Sequence, residues 1–483
     1  MSGPHDLYRP SLALLTDLYQ LTMAYGYWKL GMAEREAVFH LTFRKNPFLG
    51  GYAIAAGLQQ ATDYLANVRF SEADLEYLRS LTGNDGGPLF EGAFIDYLGS
   101  LEWRLDVDGI PEGTAVFPHE PLLRVKGPLL QAQLVETPLL TMVNFATLIA
   151  TKASRVCAAA DGDPVLEFGL RRAQGIDGGL SASRAAYVGG AAGTSNVLAG
   201  RLFGIPVKGT HAHSWVMCFD TEEEAFANYA DALPNNCVFL VDTYDTEQGV
   251  HNAVAEAKKL RARGYEVIGV RLDSGDLAAL AKTARSILDE GGFPGAVIVA
   301  SNDLDEHRIT DLKSKGAPIG MWGVGTRLAT AKDQPALGGV YKLASIRNAD
   351  GSWEDRVKLS ETPIKISNPG HQQVLRAVRK DGTFTGDVIV DERDERPVPP
   401  TGVQWRPLLE PVLRAGRPAA VLPAVATSRT RTATQLAALP EGVTALTNPT
   451  PYPVRLAPTL FRRKEALITV ARARAAATKE SNP

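Results

Sequence analysis

Between Cys237 and Ala331 the chain repeats one unit, a short apolar run followed by an amphipathic stretch. Cys237–Val241 reads as a strand, Gln248–Arg263 as a helix with Val250, Ala253, Val254 and Ala257 on one face, and Glu266–Leu272 as the next strand. The unit recurs as helix Asp276–Asp289, strand Ala296–Ala300, helix Asp305–Ser314 and strand Ile319–Gly323. Strands apolar on both faces and separated by helices imply parallel βαβ units, since a parallel neighbour can be reached only through a crossover. Each strand also ends in a polar or glycine residue: Asp242, Asp273, Asn302, then Gly323 and Gly325. Spacings of 31, 29 and 23 residues, about one βα unit each, set these groups side by side on the C-terminal rim, where β/α barrels build their ligand sites. Any one of them could simply cap the following helix. Four in succession favour a polyhydroxyl or phosphate ligand.

The fold class expected is α/β, an irregular β/α barrel over residues 137–337 with an N-terminal α+β domain over 1–136. Pro164–Phe168 and Ile205–Lys208 read as earlier rungs of the barrel, while helix Leu14–Leu30 and strands Ala37–Phe43, Thr114–Phe117 and Leu122–Val125 build the first domain. Residues 338–396 carry short alternating runs, among them Arg356–Ser360 and Val374–Val378, that return to that domain. Asp391–Pro400 reads as a linker into a C-terminal segment, 397–483.

Composition excludes several classes. Across 483 residues, 45% hydrophobic and 22% charged content is that of a globular chain, not a disordered one. Charge-free stretches such as Asn46–Thr62 and Thr137–Thr151 fall short of a bilayer span. Met1–Asp6 opens with no cleavable signal pattern, and three cysteines without C-x-x-C spacing make neither a disulfide framework nor a thiolate metal site, so a cytoplasmic protein with three buried thiols is expected. From Thr401 onward ten Arg and two Lys face four Glu, a net +8 against −11 for the preceding 400 residues. With few aromatics to stack bases, this tail is expected to cover an acidic body or edge the site rather than bind nucleic acid.

Five segments carry candidate chemistry. Trp322–Arg327, a glycine-bearing turn from strand to helix, lets backbone N–H groups approach a phosphate, with the Thr326 hydroxyl beside them. Arg271-Leu-Asp-Ser-Gly-Asp276 offers an Arg fork for an anion and two carboxylates, Asp273 and Asp276, for sugar hydroxyls or Mg²⁺. Asp242 adds a third carboxylate. Glu167–Arg172 places Phe168 to stack on a flat ring and Arg171 to meet its carboxylate. In Gly209–Trp215, His211 and His213 point the same way if extended, which leaves open a metal pair, a core or capping role, or a reactive histidine.

Taken in chain order, Leu15-Thr-Asp-Leu-Tyr-Gln-Leu-Thr-Met23, Glu167–Gly175, Gly209–Trp215, Arg271–Asp276 and Gly323–Thr326 closely resemble nicotinate phosphoribosyltransferase, a resemblance that runs from about Leu14 to Gly370 and covers the tail from about Pro397 less well. The resemblance implies a type II phosphoribosyltransferase fold and a homodimer with sites at its interface. It implies nicotinate attacking 5-phosphoribosyl 1-diphosphate to give nicotinate mononucleotide and diphosphate, with Mg²⁺ and coupled ATP hydrolysis. Carried over, Tyr19 (from the partner), Phe168, Arg171, Thr210 and Arg271 contact nicotinate; Gly323, Gly325, Thr326, Asn302 and Asp242 serve the phosphoribosyl group; Asp273 is catalytic; and His213 is catalytic as the phosphorylated histidine. Asp273 and Asp276 are the candidate magnesium ligands. Nicotinamide is the alternative substrate, but converging Arg171, Arg172 and Arg271 suit a carboxylate, and Gly193–Gly200 lacks the acid that nicotinamide-using relatives place near the amide. A non-catalytic barrel binding phosphoribosyl ligands is the second alternative.

Overall fold

The computed structural model describes residues 11–480, with side chains to 474; Met1–Asp6, read above for an export signal, lies outside them. The chain forms two compact units, Met1–Thr147 with Ala336–Pro423 and Thr434–Pro483, and Leu148–Pro335 with Ala424–Ala433. The first boundary falls inside helix Glu136–Ala160, not at its start where the sequence reading placed it.

The second unit is built on a six-stranded sheet ordered Gly193–Thr194, Val165–Glu167, Met321–Val324, Val297–Ala300, Gly269–Leu272, Val238–Leu240. Every pairing is parallel. Val238, Phe239, Leu240, Val270, Leu272, Ile298, Val299, Ala300, Trp322 and Val324 are buried, which explains the near-continuous apolar runs. Helices Thr246–Ala262, Leu277–Glu290 and Glu306–Ser314 return the chain between strands, and their starts are capped by Asp245, Asp276 and Asp305.

The segment expected as the rung Ile205–Lys208 is no regular strand. Val207 makes a single parallel bridge to Thr194, with Thr194 N–H donating to Pro206 O and Lys208 N–H to Thr194 O, both at 3.0 Å. Four residues on, His211 Nε2 accepts the Leu240 N–H at 3.2 Å. Residues 206–211 thus run from one edge strand to the other and bridge the sheet into an irregular barrel.

In the first unit, a seven-stranded antiparallel sheet runs Trp353–Asp355, Gly339–Arg347, Glu36–Phe43, Leu123–Pro128, Asp106–Gly109, Glu410–Arg414, Arg417–Pro418. Gln372–Arg379 and Phe384–Asp391 pair in a second sheet with Val403–Pro407 and Val454–Leu456. The expected strand Arg356–Ser360 is instead a loop, its Lys358 N–H satisfied by the Ser367 hydroxyl rather than by a ladder. Nor does Asp391 open a linker: it ends a strand with its carboxylate buried against Arg393 and Arg463, both 2.5 Å away. Arg463 also pairs with Asp394, so this part of the basic tail sits on acidic groups of its own unit. Of the three thiols, Cys237 is buried, Cys157 partly so, and Cys218 exposed, against the expectation of burial for all three. Among the described residues no helix is long and apolar enough to cross a membrane.

Candidate active site

The parallel sheet delivers its strand ends to one mouth, and side-chain contacts knit them together. Asp242, just past Val238–Leu240, accepts the Asp273 backbone N–H and the Ser274 hydroxyl on Oδ2, both at 2.7 Å. Its Oδ1 is buried with no partner. Asp273 in turn accepts the Ser301 hydroxyl on Oδ1, reaching the next strand end, and presents Oδ2 to His213 Nε2 at 3.9 Å. The other ring nitrogen of His213 meets the Thr243 hydroxyl at 3.1 Å. A half-exposed imidazole thus stands between a carboxylate and a hydroxyl, accessible from solvent.

Arg271 lies within the last turn of pleat of Gly269–Leu272 and hydrogen-bonds Thr210 through Nη1, while its Nε is buried without a partner. Burial pulls its pKa down from the ordinary arginine value and Arg171 adds to that, against the upward pull of Asp273 and Asp242. A guanidinium so placed is under-solvated and gains from an incoming anion. Arg171 and Arg172 lie exposed on the turn Leu170–Arg172 that follows Phe168.

Phe168 is fixed by its N–H donating to Val324 O at 2.8 Å, and its ring lies over Gly323: a Cβ there would come within 2.8 Å of ring carbon Cδ2. Glycine at 323 is therefore required by the close approach of the aromatic face. Beneath, Glu167 is buried and held by three donors, the Gly169 N–H, Ser183 Oγ at 2.9 Å and Thr194 Oγ1 at 2.6 Å. Gly325 precedes the short helical turn Thr326–Ala329, and Asn302 sits exposed in the left-handed region (φ 90°) directly after Ser301.

Of the thirteen residues to which the resemblance gives a role, twelve lie in this unit, and all but one of those sit at strand ends, in the turns joined to them or just after the bridging segment 206–211. Asp276 is the exception: its Oδ1 caps helix Leu277–Glu290 by accepting the Ala278 and Ala279 N–H groups at 3.1 and 3.3 Å. That is the capping role, and it takes up the carboxylate offered as a metal ligand. Tyr19 belongs to the other unit, on helix Leu18–Lys29, with its side chain half exposed. The two histidines do not point together. Backbone at Ala212 is extended but His213 begins the turn His213–Val216; His211 is buried, bonded to Leu240 N–H and set edge-on to Tyr229 at 4.8 Å. Its acceptor nitrogen is spent on the backbone, which removes the His-x-His metal pair. Thr243, Ser274, Ser301 and Glu167 were not singled out; each directly precedes or follows a residue that was, and only the fold shows their side chains turned inward.

As to magnesium, no group of three or more His, Cys, Asp or Glu side chains converges into a cage among the described residues. The orphaned Asp242 Oδ1 and the unbonded Asp273 Oδ2 are hard oxygen donors of the kind Mg²⁺ takes alongside substrate phosphates and water. The residues fit a cation brought largely by its ligand.

Comparison with known proteins defines the class first. The fold is that of the type II phosphoribosyltransferases: human nicotinic acid phosphoribosyltransferase superposes with a TM-score of 0.82 at 34% identity, covering 94% of this chain and 99% of that one. A nicotinate-nucleotide pyrophosphorylase from Pyrococcus furiosus shares the fold at TM-score 0.70 and 21% identity, over 90% of this chain and 97% of the other. The family itself follows from sequence. Residues 14–144 match the nicotinate phosphoribosyltransferase N-terminal domain, 165–357 the nicotinate phosphoribosyltransferase family and 392–464 its C-terminal domain, the last extending the match into most of the C-terminal segment 397–483. Nicotinate phosphoribosyltransferase of Bacillus subtilis is 48% identical over 381 residues, 78% of this chain and 76% of that protein. The chain belongs to the nicotinate phosphoribosyltransferase family and is an enzyme of that family.

Proposed function

We propose that this enzyme transfers the 5-phosphoribosyl group to nicotinate for NAD biosynthesis, the pyridine nitrogen bonding to C1 of 5-phosphoribosyl 1-diphosphate as the C1–O bond breaks and diphosphate leaves. The observation that carries this reading is the conjunction, in one mouth, of an under-solvated Arg271 flanked by Arg171, an aromatic face at Phe168, and paired carboxylates Asp242 and Asp273. Nicotinate stacks on Phe168 with its carboxylate on Arg271, Arg171 and the Thr210 hydroxyl. Positive charge gathers on the ribose in the transition state, and Asp273, held rigid by Asp242 and Ser301, is oriented to stabilise it. Gly323, Gly325 and Thr326 with Asn302 cradle the 5-phosphate. Bound Mg²⁺, held by Asp273 and Asp242, would neutralise diphosphate charge.

His213 is the residue proposed to take a phosphoryl group from ATP, coupling ATP hydrolysis to transfer. Its half-exposed ring beside Asp273 supports this, since a phosphohistidine there adds ~2 negative charges within reach of the donor site and couples the two affinities. Exposed Tyr19, and exposed Val197, Leu198 and Leu202 on helix Val197–Phe203, support a homodimer in which Tyr19 serves the partner's site. Free thiols support a cytoplasmic location. Incubating the full chain with nicotinate, donor and MgATP should yield nicotinate mononucleotide and diphosphate in equal amounts; a folded chain that binds donor and forms neither is a non-catalytic barrel.

A further inference from the structure

Loops following the strands Val297–Ala300 and Met321–Val324 face one another, and one side chain joins them. Arg327, the residue after Thr326, donates Nη1 to Asp305 Oδ2 at 2.9 Å and Nη2 to Asp303 Oδ2 at 3.1 Å. The two carboxylates differ in anchorage. Asp305 is buried and caps helix Glu306–Ser314 through the Arg308 N–H at 2.8 Å, and the next residue, Glu306, is locked by Arg155 Nε at 2.9 Å and Lys152 Nζ at 2.6 Å. Asp303 is exposed, and with Asn302 it forms two consecutive non-glycine residues in the left-handed region, at φ 46° and 90°. Such a pair persists only where its surroundings hold it. Lys332 stands 3.9 Å from Asp303, too far to hydrogen-bond, so the fork of Arg327 is the short contact on that carboxylate.

We propose that Arg327 is a positioning residue for the phosphoribosyl donor: by clamping Asp303 to the anchored Asp305, it fixes the strained turn bearing Asn302 against the glycine turn bearing Thr326, so that two phosphate-facing loops act as one preformed cradle. This rests on the phosphoribosyl reading of those loops. A fork bridging two carboxylates is geometry that a guanidinium supplies and an ammonium does not. Removing it deletes no group that touches the donor but lets the Asn302 turn relax, a misplacement felt by the sugar phosphate and not by the pyridine.

The test is steady-state kinetics of diphosphate release by the full chain with MgATP. Arg327→Met should raise KM for the donor by about tenfold or more, with KM for nicotinate changed less than about twofold, and Arg327→Lys should recover part of the loss. Asp303→Asn attacks the clamp from its exposed end and should reproduce the split even if the Arg327 variants fold poorly. Thr326→Val separates the layers. If it raises donor KM while Arg327→Met and Asp303→Asn do not, the clamp is overturned and the cradle stands; if it too leaves donor KM unchanged, the phosphate reading of the loops falls. Equal rises in both KM values, tracking a lower Tm, would make Arg327 a structural brace only and overturn the proposal.

Discussion

Asp242 holds Asp273 by its backbone: Oδ2 accepts the Asp273 N–H at 2.7 Å, tying two strand ends 31 residues apart in the chain. The same oxygen accepts Ser274 Oγ, so the loop carrying the proposed transition-state carboxylate is fixed from the neighbouring strand. Asp242→Ala removes both bonds and should lower kcat/KM for the donor about 10²-fold, with a stability cost of ~1–3 kcal/mol. Asp242→Asn keeps one acceptor oxygen and should lose less. Measuring both variants by diphosphate release and thermal melting checks the order Asp, Asn, Ala; an Ala variant with wild-type kinetics would separate the Asp242 tie from catalysis.

His213→Ala should leave the fold intact, because the ring is half exposed and gives up one hydrogen bond to Thr243. Basal transfer should survive while stimulation by ATP disappears. Rates compared with and without ATP decide it, and ATP stimulation undiminished in the variant would remove His213 from the coupling.

Gly323→Ala should act on nicotinate through Phe168, in addition to any effect on the sugar phosphate that Gly323 helps cradle. The added methyl would sit 2.8 Å from Phe168 Cδ2, so the ring must tilt or shift. KM for nicotinate is expected to rise several-fold at a stability cost of ~1–3 kcal/mol from overpacking. Titrating nicotinate at saturating donor reads this directly, and an unchanged KM would show that the Phe168 face does not set nicotinate affinity.

Acid should destabilise the protein well before most of its carboxylates titrate. Burial pulls the His211 pKa down to about 4 and that of His371 to about 3, and holds His40 well below the ordinary 6.5. With folded pKa values depressed, the unfolded chain binds more protons as pH falls below about 6.5, so stability present above that pH is lost progressively toward pH 4, His211 alone accounting for up to ~3 kcal/mol. Melting temperatures between pH 7.5 and 4.5 should fall, and His211→Gln should flatten the slope. A Tm independent of pH across this window would contradict the buried neutral histidines.

Much of the barrel is legible in the chain because its strands are covered on both faces and its helices are amphipathic, and because polar residues recur at the βα period from Asp242 to Gly325. What the spacing could not separate are residues whose fate depends on one φ/ψ choice. His211 and His213 share an alternation that the turn at 213 breaks, and Asp276 is sent to a helix cap while Asp273, three residues earlier, faces His213. Ser301 and Thr243 were hidden by their commonness at strand ends. Long-range association was hidden too: residues 424–433 join the barrel unit because Arg429 donates to the Gly190 and Ala191 carbonyls and Thr432 to Val188 O, pairings with no local signature.

The central claim is that the mouth selects an anionic pyridine, because the part-buried Arg271 keeps a buried, unpartnered Nε and an incoming carboxylate offsets that desolvation where a neutral amide does not. The most direct measurement is kcat/KM for nicotinate against nicotinamide, with donor and MgATP held saturating. The account predicts a preference of at least ~10²-fold for nicotinate, reduced sharply by Arg271→Met. Nicotinamide used as well as nicotinate, or better, would contradict it.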